Sequence, residues 1–185
     1  LYWGDINANR VYVFSIEGTT GGLTHLQTFN NGDSGSLING VTDLKISPDG
    51  LFLYIAATRD DYLTVFSRDV VTGLITYAND IASPSGAVRS LAISPDGATM
   101  IAADQSNSIR AYSRDLTTGA LTLIEEERDG VNGVDGLARS LGVAISPDGN
   151  HIYVAARDDD AVTLFELEPG VIVPVVEAFV TLECS

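Results

Sequence analysis

The chain has 185 residues, with 10 Lys or Arg against 25 Asp or Glu, so its formal net charge is −15. That charge argues against nucleic acid or an anionic membrane as the main partner, because both attract positive surfaces. Apolar residues make up 45% of the chain, too many for a disordered acidic tail, and the 18 glycines are typical of a turn-rich all-β protein.

The first elements in chain order are three short strands before residue 41. Tyr2 and Phe14 bracket the first two strands, with the spacing of 12 residues that also separates Tyr54 from Phe66. Thr20-Gly21, six residues after Phe14, marks the turn to the third strand. Residues 1–30 are therefore predicted to be a repeat unit that lacks its first strand.

Residues 41–80 are the first complete unit, with four strands that we denote a to d. The turn Ser47–Gly50 has the sequence Ser-Pro-Asp-Gly and connects a to b, because Pro second and Gly fourth fit a type I turn. Strand b, Leu53–Ala56, is apolar throughout, which is typical of a strand covered on both faces. Strand c, Leu63–Phe66, alternates apolar and polar side chains at its start.

The same unit recurs over residues 88–128 and 139–176. Its turn returns as Ser94–Gly97 and Ser146–Gly149, 47 residues after the first turn and 52 after the second, and an isoleucine precedes it each time. Periods of this size are typical of propeller blades. With three strands before residue 41 and four in each later unit, the sequence predicts 15 strands.

These units predict an all-β fold, a β-propeller built of four-stranded antiparallel blades with about four blades in this chain. Flat sheets that stack face to face around an axis cover their inner strands on both faces. We expect a single β-propeller domain over residues 1–185, with blades at approximately 1–30, 41–80, 88–128 and 139–176.

The C-terminal tail, residues 178–185, leaves two arrangements open. The tail resembles strand a of the first complete unit in length, apolar pattern and final serine. Pairing with residues 1–6 would complete the first blade, giving a closed small propeller without exposed edges. Alternatively, the native chain continues with another turn, and this sequence is part of a larger propeller.

The ends of the chain and its one cysteine contribute three further expectations. The most apolar run, Val171–Val180, is about half of the ~20 residues that a membrane span needs, so no membrane insertion is expected. The chain begins at Leu1 rather than Met and shows no signal peptide, which indicates a processed or trimmed product. Cys184 is either a half-buried apolar residue or the partner of a cysteine outside this chain.

A resemblance to a known family is carried by residues 141–155, extended by 128–137 and 159–165. These segments resemble the repeats of the lactonase-like (6-phosphogluconolactonase-like) seven-bladed β-propellers of bacterial secreted and cell-surface proteins. The resemblance covers nearly the whole chain up to about Phe165 and implies the propeller fold. It implies less about activity, because such repeats occur both in enzymes similar to 6-phosphogluconolactonase and in surface proteins of no assigned chemistry. The chain departs from the family in size, with under four units instead of seven.

Acidic residues are predicted to gather on one propeller face. The b–c and d–a loops emerge on the same face and hold 11 of the 25 acids: Asp5, Asp33, Asp60, Asp61, Asp80, Asp104, Asp129, Asp135, Asp158, Asp159 and Asp160. Candidate metal ligands among them are Asp158, Asp159, Asp160, Asp129 and Asp135. Ca²⁺, the one candidate cofactor, takes six to eight oxygen ligands from curved loops. No EF-hand spacing is present, so a solvated, repulsive hairpin tip is the simpler interpretation.

Other side chains with chemical potential are few. His25 and His151 give no Ser–His–Asp order, and no phosphate-binding loop is present. Arg59 and Arg157 are the basic residues considered for a lactone pocket, without a particular arrangement. No catalytic residue is therefore predicted.

Two aromatic residues near the N-terminus have contrasting expectations. Trp3 aligns with Ile55 of the first complete unit, which predicts a packed interior side chain. Tyr12 aligns with Thr64 and is a candidate exposed aromatic for partner or glycan stacking.

Two classes of function follow. The first is a non-enzymatic secreted or cell-surface module for protein interaction or self-assembly, since the repeats are regular and an incomplete blade can recruit a strand from another copy. The alternative, implied by the resemblance, is a lactonase-type hydrolase acting on a sugar lactone, which needs a base and an oxyanion stabiliser. The sequence favours the first class, with an extracellular or cell-surface location and the periplasm as the second choice.

Overall fold

The computed structural model describes residues 1–83, 86–168, 171–175 and 180–181, and these are almost entirely strands and turns. The strands are β1 Tyr2–Asp5, β2 Arg10–Ile16, β3 Leu23–Asn30, β4 Val41–Ile46, β5 Phe52–Ala57, β6 Tyr62–Arg68, β7 Ile75–Ala82, β8 Val88–Ile93, β9 Thr99–Asp104, β10 Ser108–Arg114, β11 Leu121–Arg128, β12 Ser140–Ile145, β13 His151–Ala156, β14 Ala161–Glu168, β15 Val171–Pro174 and β16 Val180–Thr181. A single 3-10 turn among the described residues, Asp33–Gly35, lies between β3 and β4. None of the described segments forms a helix of the length and apolarity that crossing a membrane requires.

Consecutive strands pair antiparallel into four sheets. Blade 1 is β1–β3, blade 2 is β4–β7, blade 3 is β8–β11, and blade 4 is β12–β15 with β16 added. The first strands of blades 2, 3 and 4, namely β4, β8 and β12, run alongside one another and form the inner edge of the arc. This confirms the β-propeller of about four blades, and among the described residues the sheets do not close into a ring.

The described part of the C-terminal tail pairs within blade 4. Val180 and Thr181 lie opposite residues 162 and 161 of β14, and β1 pairs with β2 alone among the described strands. β15 lies opposite residues 165–168 of β14, so β16 can pair with the first two residues of the same strand. Val180 and Thr181 therefore do not pair with residues 1–6, as a closed ring would require. The rest of the tail, with Cys184, lies outside the described residues.

Apolar side chains of the b and c strands fill the space between neighbouring blades. Between blades 1 and 2, the packed residues are Val11, Val13, Leu53, Ile55 and Phe66, none more than 1% exposed. Equivalent clusters lie between blades 2 and 3 and between blades 3 and 4. Burial of one large apolar side chain contributes about 1.5–3 kcal/mol, so these clusters hold the arc together.

The two end blades each have one face without a neighbour among the described residues. On blade 1, Trp3 is 55% exposed and stacks on Tyr12 with ring centroids 5.3 Å apart. On blade 4, Tyr153 is 43% exposed. The prediction of an interior Trp3 is wrong, because its side chain lies on the face of blade 1 turned away from blade 2. Tyr12 is half-buried under that indole.

The three Ser-Pro-Asp-Gly turns have one local structure. In the first, the Gly50 N–H donates to the Ser47 carbonyl at 2.8 Å, and the Ser47 hydroxyl accepts the Phe52 N–H at 3.0 Å. The Asp49 carboxylate accepts the Leu51 N–H at 2.9 Å. Gly50 has φ 74°, in the left-handed region that favours glycine. Local hydrogen bonding thus explains the repeated aspartate of these turns.

Acid should unfold the protein steeply, because several turn aspartates are held ionised by backbone N–H groups. The N–H groups of Thr72 and Val71 lower the pKa of Asp69, and those of Thr118 and Thr117 lower the pKa of Asp115. A lowered folded-state pKa means that the unfolded chain binds protons more readily, so stability is lost as the pH falls below about 4. Urea midpoints measured from pH 6 to pH 2 should therefore fall most steeply below about pH 4.

The double variant Asp69→Asn/Asp115→Asn tests this cause. Asparagine keeps the oxygen that accepts the N–H groups but has no proton to take up, so the urea midpoint should depend less on pH below about pH 4. An unchanged dependence in the variant would show that other carboxylates drive acid unfolding.

Candidate functional site

Each innermost strand carries a one-residue β-bulge at the end nearest the d–a loop. The pairing skips Thr42 between β4 and β5, Arg89 between β8 and β9, and Leu141 between β12 and β13. Bulges re-aim a side chain relative to the regular ladder and are frequent beside active sites. Of these three bulged residues, Arg89 of blade 3 is the one that carries a guanidinium.

A line of hydrogen bonds joins the three innermost strands. The Leu91 N–H donates to Asp43 Oδ2 at 2.8 Å, and Lys45 Nζ lies 3.0 Å from both oxygens of the same carboxylate. Ser90 Oγ donates to Asp43 Oδ2 at 3.4 Å and accepts the Val143 N–H at 3.3 Å. The polar groups of blades 2, 3 and 4 thus form one continuous row along the inner edge.

Two arginines at this end of the inner strands have guanidinium atoms without protein partners. The Nε atoms of Arg89 and Arg139 are buried, and neither makes a hydrogen bond to the described residues. A buried donor without an acceptor costs roughly 1–3 kcal/mol, so an external acceptor at these positions is favourable. Arg89 is the second residue of β8, and Arg139 directly precedes β12.

Arg139 occupies a backbone position that blade 2 gives to glycine. Arg139 has φ 57° and its N–H donates to Asn107 Oδ1 at 2.8 Å; Gly40 has φ 75° and donates to Asn9 Oδ1 at 2.9 Å. The left-handed conformation costs a residue with a Cβ about 1–2 kcal/mol. Strain of this kind concentrates at functional sites, and here it places an arginine beside the inner edge.

Three of the five predicted metal ligands come together next to Arg139. One oxygen from each of Asp129, Asp135 and Asp159 lies within 4.8 Å of the other two. Asp129 Oδ1 accepts the Leu137 N–H at 3.0 Å, and Asp159 Oδ2 accepts the Ala138 N–H at 2.7 Å. Both N–H donors belong to the loop that leads to Arg139, so the carboxylates brace that loop.

The other two predicted ligands lie apart from this group. Asp158 pairs with Arg157 at 3.1 Å on the surface, and Asp160, at the hairpin tip with φ 48°, is not one of the three grouped carboxylates. Three carboxylates provide part of the six to eight oxygens that Ca²⁺ takes. Their N–H partners already account for their position, and calcium binding stays a prediction.

Asp104 does not belong to the acidic rim. Its side chain is fully buried at the end of β9, with Oδ2 lying 2.9 Å from Nη2 of Arg110, which is also fully buried. Ser108 Oγ donates to the same oxygen at 2.7 Å, and Glu126 Oε1 lies 3.0 Å from Arg110 Nη2. Burial raises the pKa of Asp104, while Ser108 and Arg110 oppose that rise. The prediction placed Asp104 in the loop because the polar run starts there, but β9 extends through it.

The two arginines considered from the sequence are already engaged. Arg59 Nη1 donates to the Ile6 carbonyl at 3.0 Å and so ties blade 2 to blade 1, while Arg157 pairs with Asp158. Arg89 and Arg139 were not predicted from the sequence. The available signal for Arg139 was its alignment with Gly40, and for Arg89 its being the one charged residue of β8.

Fold and inner edge together define a β-propeller arc whose innermost strands carry polar and basic side chains at one end. The model of the family described as "Lactonase, 7-bladed beta-propeller" matches residues 7–137, so the chain belongs to this family. No curated protein matches the sequence.

Solved structures give the same fold. A putative 6-phosphogluconolactonase from Bacteroides uniformis has a TM-score of 0.80 at 18% identity, covering 98% of this chain and 51% of that chain. A putative 6-phosphogluconolactonase from Bacteroides fragilis has a TM-score of 0.80 at 19% identity, covering 98% and 51%. The periplasmic gluconolactonase of Pseudomonas aeruginosa has a TM-score of 0.74 at 19% identity, covering 94% and 51%. This chain thus spans about half the length of these structures.

The family match corrects the functional expectation. The interpretation as a non-enzymatic interaction or assembly module is overturned, because the match over residues 7–137 is to a family described by a lactonase activity. The lactonase-type alternative is the better supported of the two, and the lactonase-like resemblance is confirmed.

Proposed function

We propose that the protein is part of a lactone hydrolase whose reaction takes place at the loop-facing end of the innermost strands. The observation that carries the proposal is the family match, which spans β2 to β11 and includes Arg89. The bulged Arg89 and the strained Arg139 support this location, since each has a buried guanidinium Nε that no described residue hydrogen-bonds.

Lactone hydrolysis needs donors that stabilise the negative charge on the carbonyl oxygen and a general base that takes a proton from water. Water adds to the lactone carbonyl, the ring C–O bond breaks, and the product is a hydroxy acid that releases one proton. The negative charge that develops on the carbonyl oxygen needs fixed donors, and removal of one such donor typically lowers kcat by about 10²–10³. We assign that role to Arg89 and Arg139, because an arginine guanidinium presents five N–H donors in a fixed planar fork.

A general base must take the proton from the attacking water. We assign the base to the group of Asp129, Asp135 and Asp159, because the loop that these carboxylates brace ends at Arg139. Asp43 is less suited, because Lys45 Nζ lies 3.0 Å from both of its oxygens and stabilises the ionised carboxylate.

The charge of the chain favours an uncharged sugar lactone over a phosphorylated one. Asp60, Asp61 and the 158–160 run lie in b–c loops of the proposed face, Asp5 ends β1 beside its own b–c loop, and the net charge is −15. A phosphate would approach against this field, whereas a neutral lactone would not. A periplasmic location fits this proposal, since the similar Pseudomonas aeruginosa protein is a periplasmic gluconolactonase.

Arg139→Gly provides the test, because blade 2 shows that glycine fits this backbone. Proton release from glucono-1,5-lactone should proceed above the buffer blank, and the variant should lower kcat by about 10²-fold or more. Its urea midpoint should stay the same or rise, because glycine removes the left-handed strain. The control Arg59→Met lies outside the proposed machinery and should keep kcat.

Two outcomes would contradict the proposal. If neither glucono-1,5-lactone nor its 6-phosphate is hydrolysed faster than in the buffer blank, the proposed lactonase activity is refuted. Full activity in the folded Arg139→Gly variant would remove the assignment of Arg139.

A further inference from the structure

At two of the three interfaces between the described blades, on the face of the a–b turns, an arginine joins neighbouring blades in an arrangement that we call the arginine clamp. At the interface of blades 2 and 3, Arg114 Nε donates to Tyr54 Oη at 2.7 Å and Nη2 to Asp49 Oδ2 at 2.6 Å. Its Nη1 donates to the Gly97 carbonyl at 3.1 Å, and the side chain is fully buried. The guanidinium is thus surrounded by a carboxylate, a phenol and a turn carbonyl.

The interface of blades 1 and 2 contains the same clamp. Arg68 Nε donates to Tyr2 Oη at 2.6 Å, and Arg68 Nη1 donates to the Gly50 carbonyl at 2.9 Å. The arginine is in each case the last residue of the c strand, and the tyrosine belongs to the b strand of the preceding blade. A guanidinium at this place is therefore a repeated structural element of the arc.

The interface of blades 3 and 4 lacks that guanidinium. Leu167 stands at the position of Arg114, two residues after the c-strand aromatic; Ile101 replaces Tyr54, and Thr99 replaces Phe52. These three changes remove bulky side chains, and a cavity of about 520 Å³ lies there. Leu167 and Thr99 both line it.

The acceptors of the clamp remain in place around this cavity. Asp96 is the counterpart of Asp49, and its Oδ1 accepts the Ser94 hydroxyl and the Ala98 N–H, but no other described residue donates to its Oδ2. The turns also stack alike: a Cβ built on Gly149 would lie 3.4 Å from Cδ of Pro95, and one on Gly97 would lie 3.5 Å from Cδ of Pro48. Asp96 and the Gly149 carbonyl therefore match Asp49 and the Gly97 carbonyl.

We propose that the cavity between blades 3 and 4 binds a guanidinium group supplied from outside the chain, by a small molecule or by an arginine side chain of a partner protein. Asp96 Oδ2 and the Gly149 carbonyl would accept hydrogen bonds from that guanidinium, as Asp49 Oδ2 and the Gly97 carbonyl accept them from Arg114. Asp148 and Glu168 add negative charge to the lining. Charge-assisted hydrogen bonds from a guanidinium to a carboxylate are among the strongest in proteins.

The remaining walls fit the aliphatic stem that carries such a group. Leu167 and Ile124 line the cavity beside the acids, and apolar walls pack well against methylene groups while the charged head stays with its acceptors. The volume falls within the range of ligand pockets and exceeds that of a bare guanidinium. The site lies on the face opposite the proposed lactonase rim, so the two proposals stand independently.

Binding of agmatine, a guanidinium on an aliphatic amine, tests the site by backbone amide NMR. Shifts should concentrate at residues 94–99 and 148–150, and Asp96→Asn should weaken binding about tenfold or more. Leu167→Arg should abolish binding, because it supplies the guanidinium from within the chain. Asp115→Asn, a surface aspartate outside the cavity, is the matched control and should bind as the parent protein does.

A capped Gly-Arg-Gly peptide distinguishes the two sources. Tighter binding of agmatine supports a small molecule, tighter binding of the peptide supports a partner's arginine, and either result supports the guanidinium site. No shift at these residues with either probe up to tens of millimolar would overturn the proposal. Equal affinity in Asp96→Asn and in the parent protein would overturn it as well, and this variant keeps the test valid if Leu167→Arg fails to fold.

Discussion

Arg110→Thr is expected to destabilise the protein by about 3–5 kcal/mol, because it leaves a buried carboxylate without its cation. Arg110 and Asp104 are both fully buried and lie 2.9 Å apart. After the substitution, the carboxylate would keep the hydroxyl of Ser108 and the N–H groups of Ser106 and Ser108 as partners. Urea unfolding followed by circular dichroism measures the loss.

The double variant Arg110→Thr/Asp104→Ala should recover about half of this loss or more. Blades 2 and 4 already use this combination, with Thr64 and Thr163 at the position of Arg110 and alanine at the position of Asp104. Thr64 Oγ1 donates to the Leu37 carbonyl at 2.6 Å, so threonine can hold the preceding d–a loop as Arg110 does through Ser83. Removal of both charges avoids the cost of an unpaired buried ion.

The pH dependence separates this cause from simple loss of packing. Without Arg110, Asp104 should keep a proton in the folded state at pH values where the unfolded chain has released it. Unfolding then releases a proton, so the single variant should be destabilised less at pH 5 than at pH 8. The same loss at both pH values, or a double variant no more stable than Arg110→Thr, would refute the explanation.

Much of the fold could be predicted because the repeat carries its own alignment. The Ser-Pro-Asp-Gly turns place the a–b connections, and the spacing between Tyr54 and Phe66 places the b–c hairpins. All 15 predicted strands are found in the predicted order. The environment of each blade was harder to predict: Trp3 aligns with the buried Ile55 but is exposed, since burial of a blade face depends on the blade beside it.

The candidate site was predicted less completely, for a similar reason. Asp129 and Asp135 were expected near the 158–160 run, but only Asp159 of that run faces them, because a hairpin tip directs successive side chains differently. The role of Asp104 depends on Arg110, a charged residue in a buried strand that demanded a buried counter-charge. Ion pairs between residues of different strands, such as Asp104 with Arg110, can be identified only once the strands are placed in three dimensions.

Phe66→Ala is expected to cost about 3–5 kcal/mol, because the ring fills the interface between blades 1 and 2. Phe66 is fully buried and meets Phe29 edge to face, with ring centroids 4.7 Å apart, and Tyr77 at 6.1 Å. Little in this close-packed cluster can move to fill the space, so most of the cavity should remain. The change in the urea midpoint at constant m-value measures the cost.

Phe14→Ala is the matched control, since Phe14 holds the same repeat position in blade 1. Its ring is half-buried and touches Tyr12 and His25 on the face that has no neighbouring blade in the described arc. We expect less than half of the loss seen for Phe66→Ala, because the alanine variant leaves no closed cavity there. Equal losses for the two variants would mean that protein covers the outer face of blade 1 in solution, contrary to the arrangement in the structure. Burial at this position therefore reports, blade by blade, whether a neighbour is present.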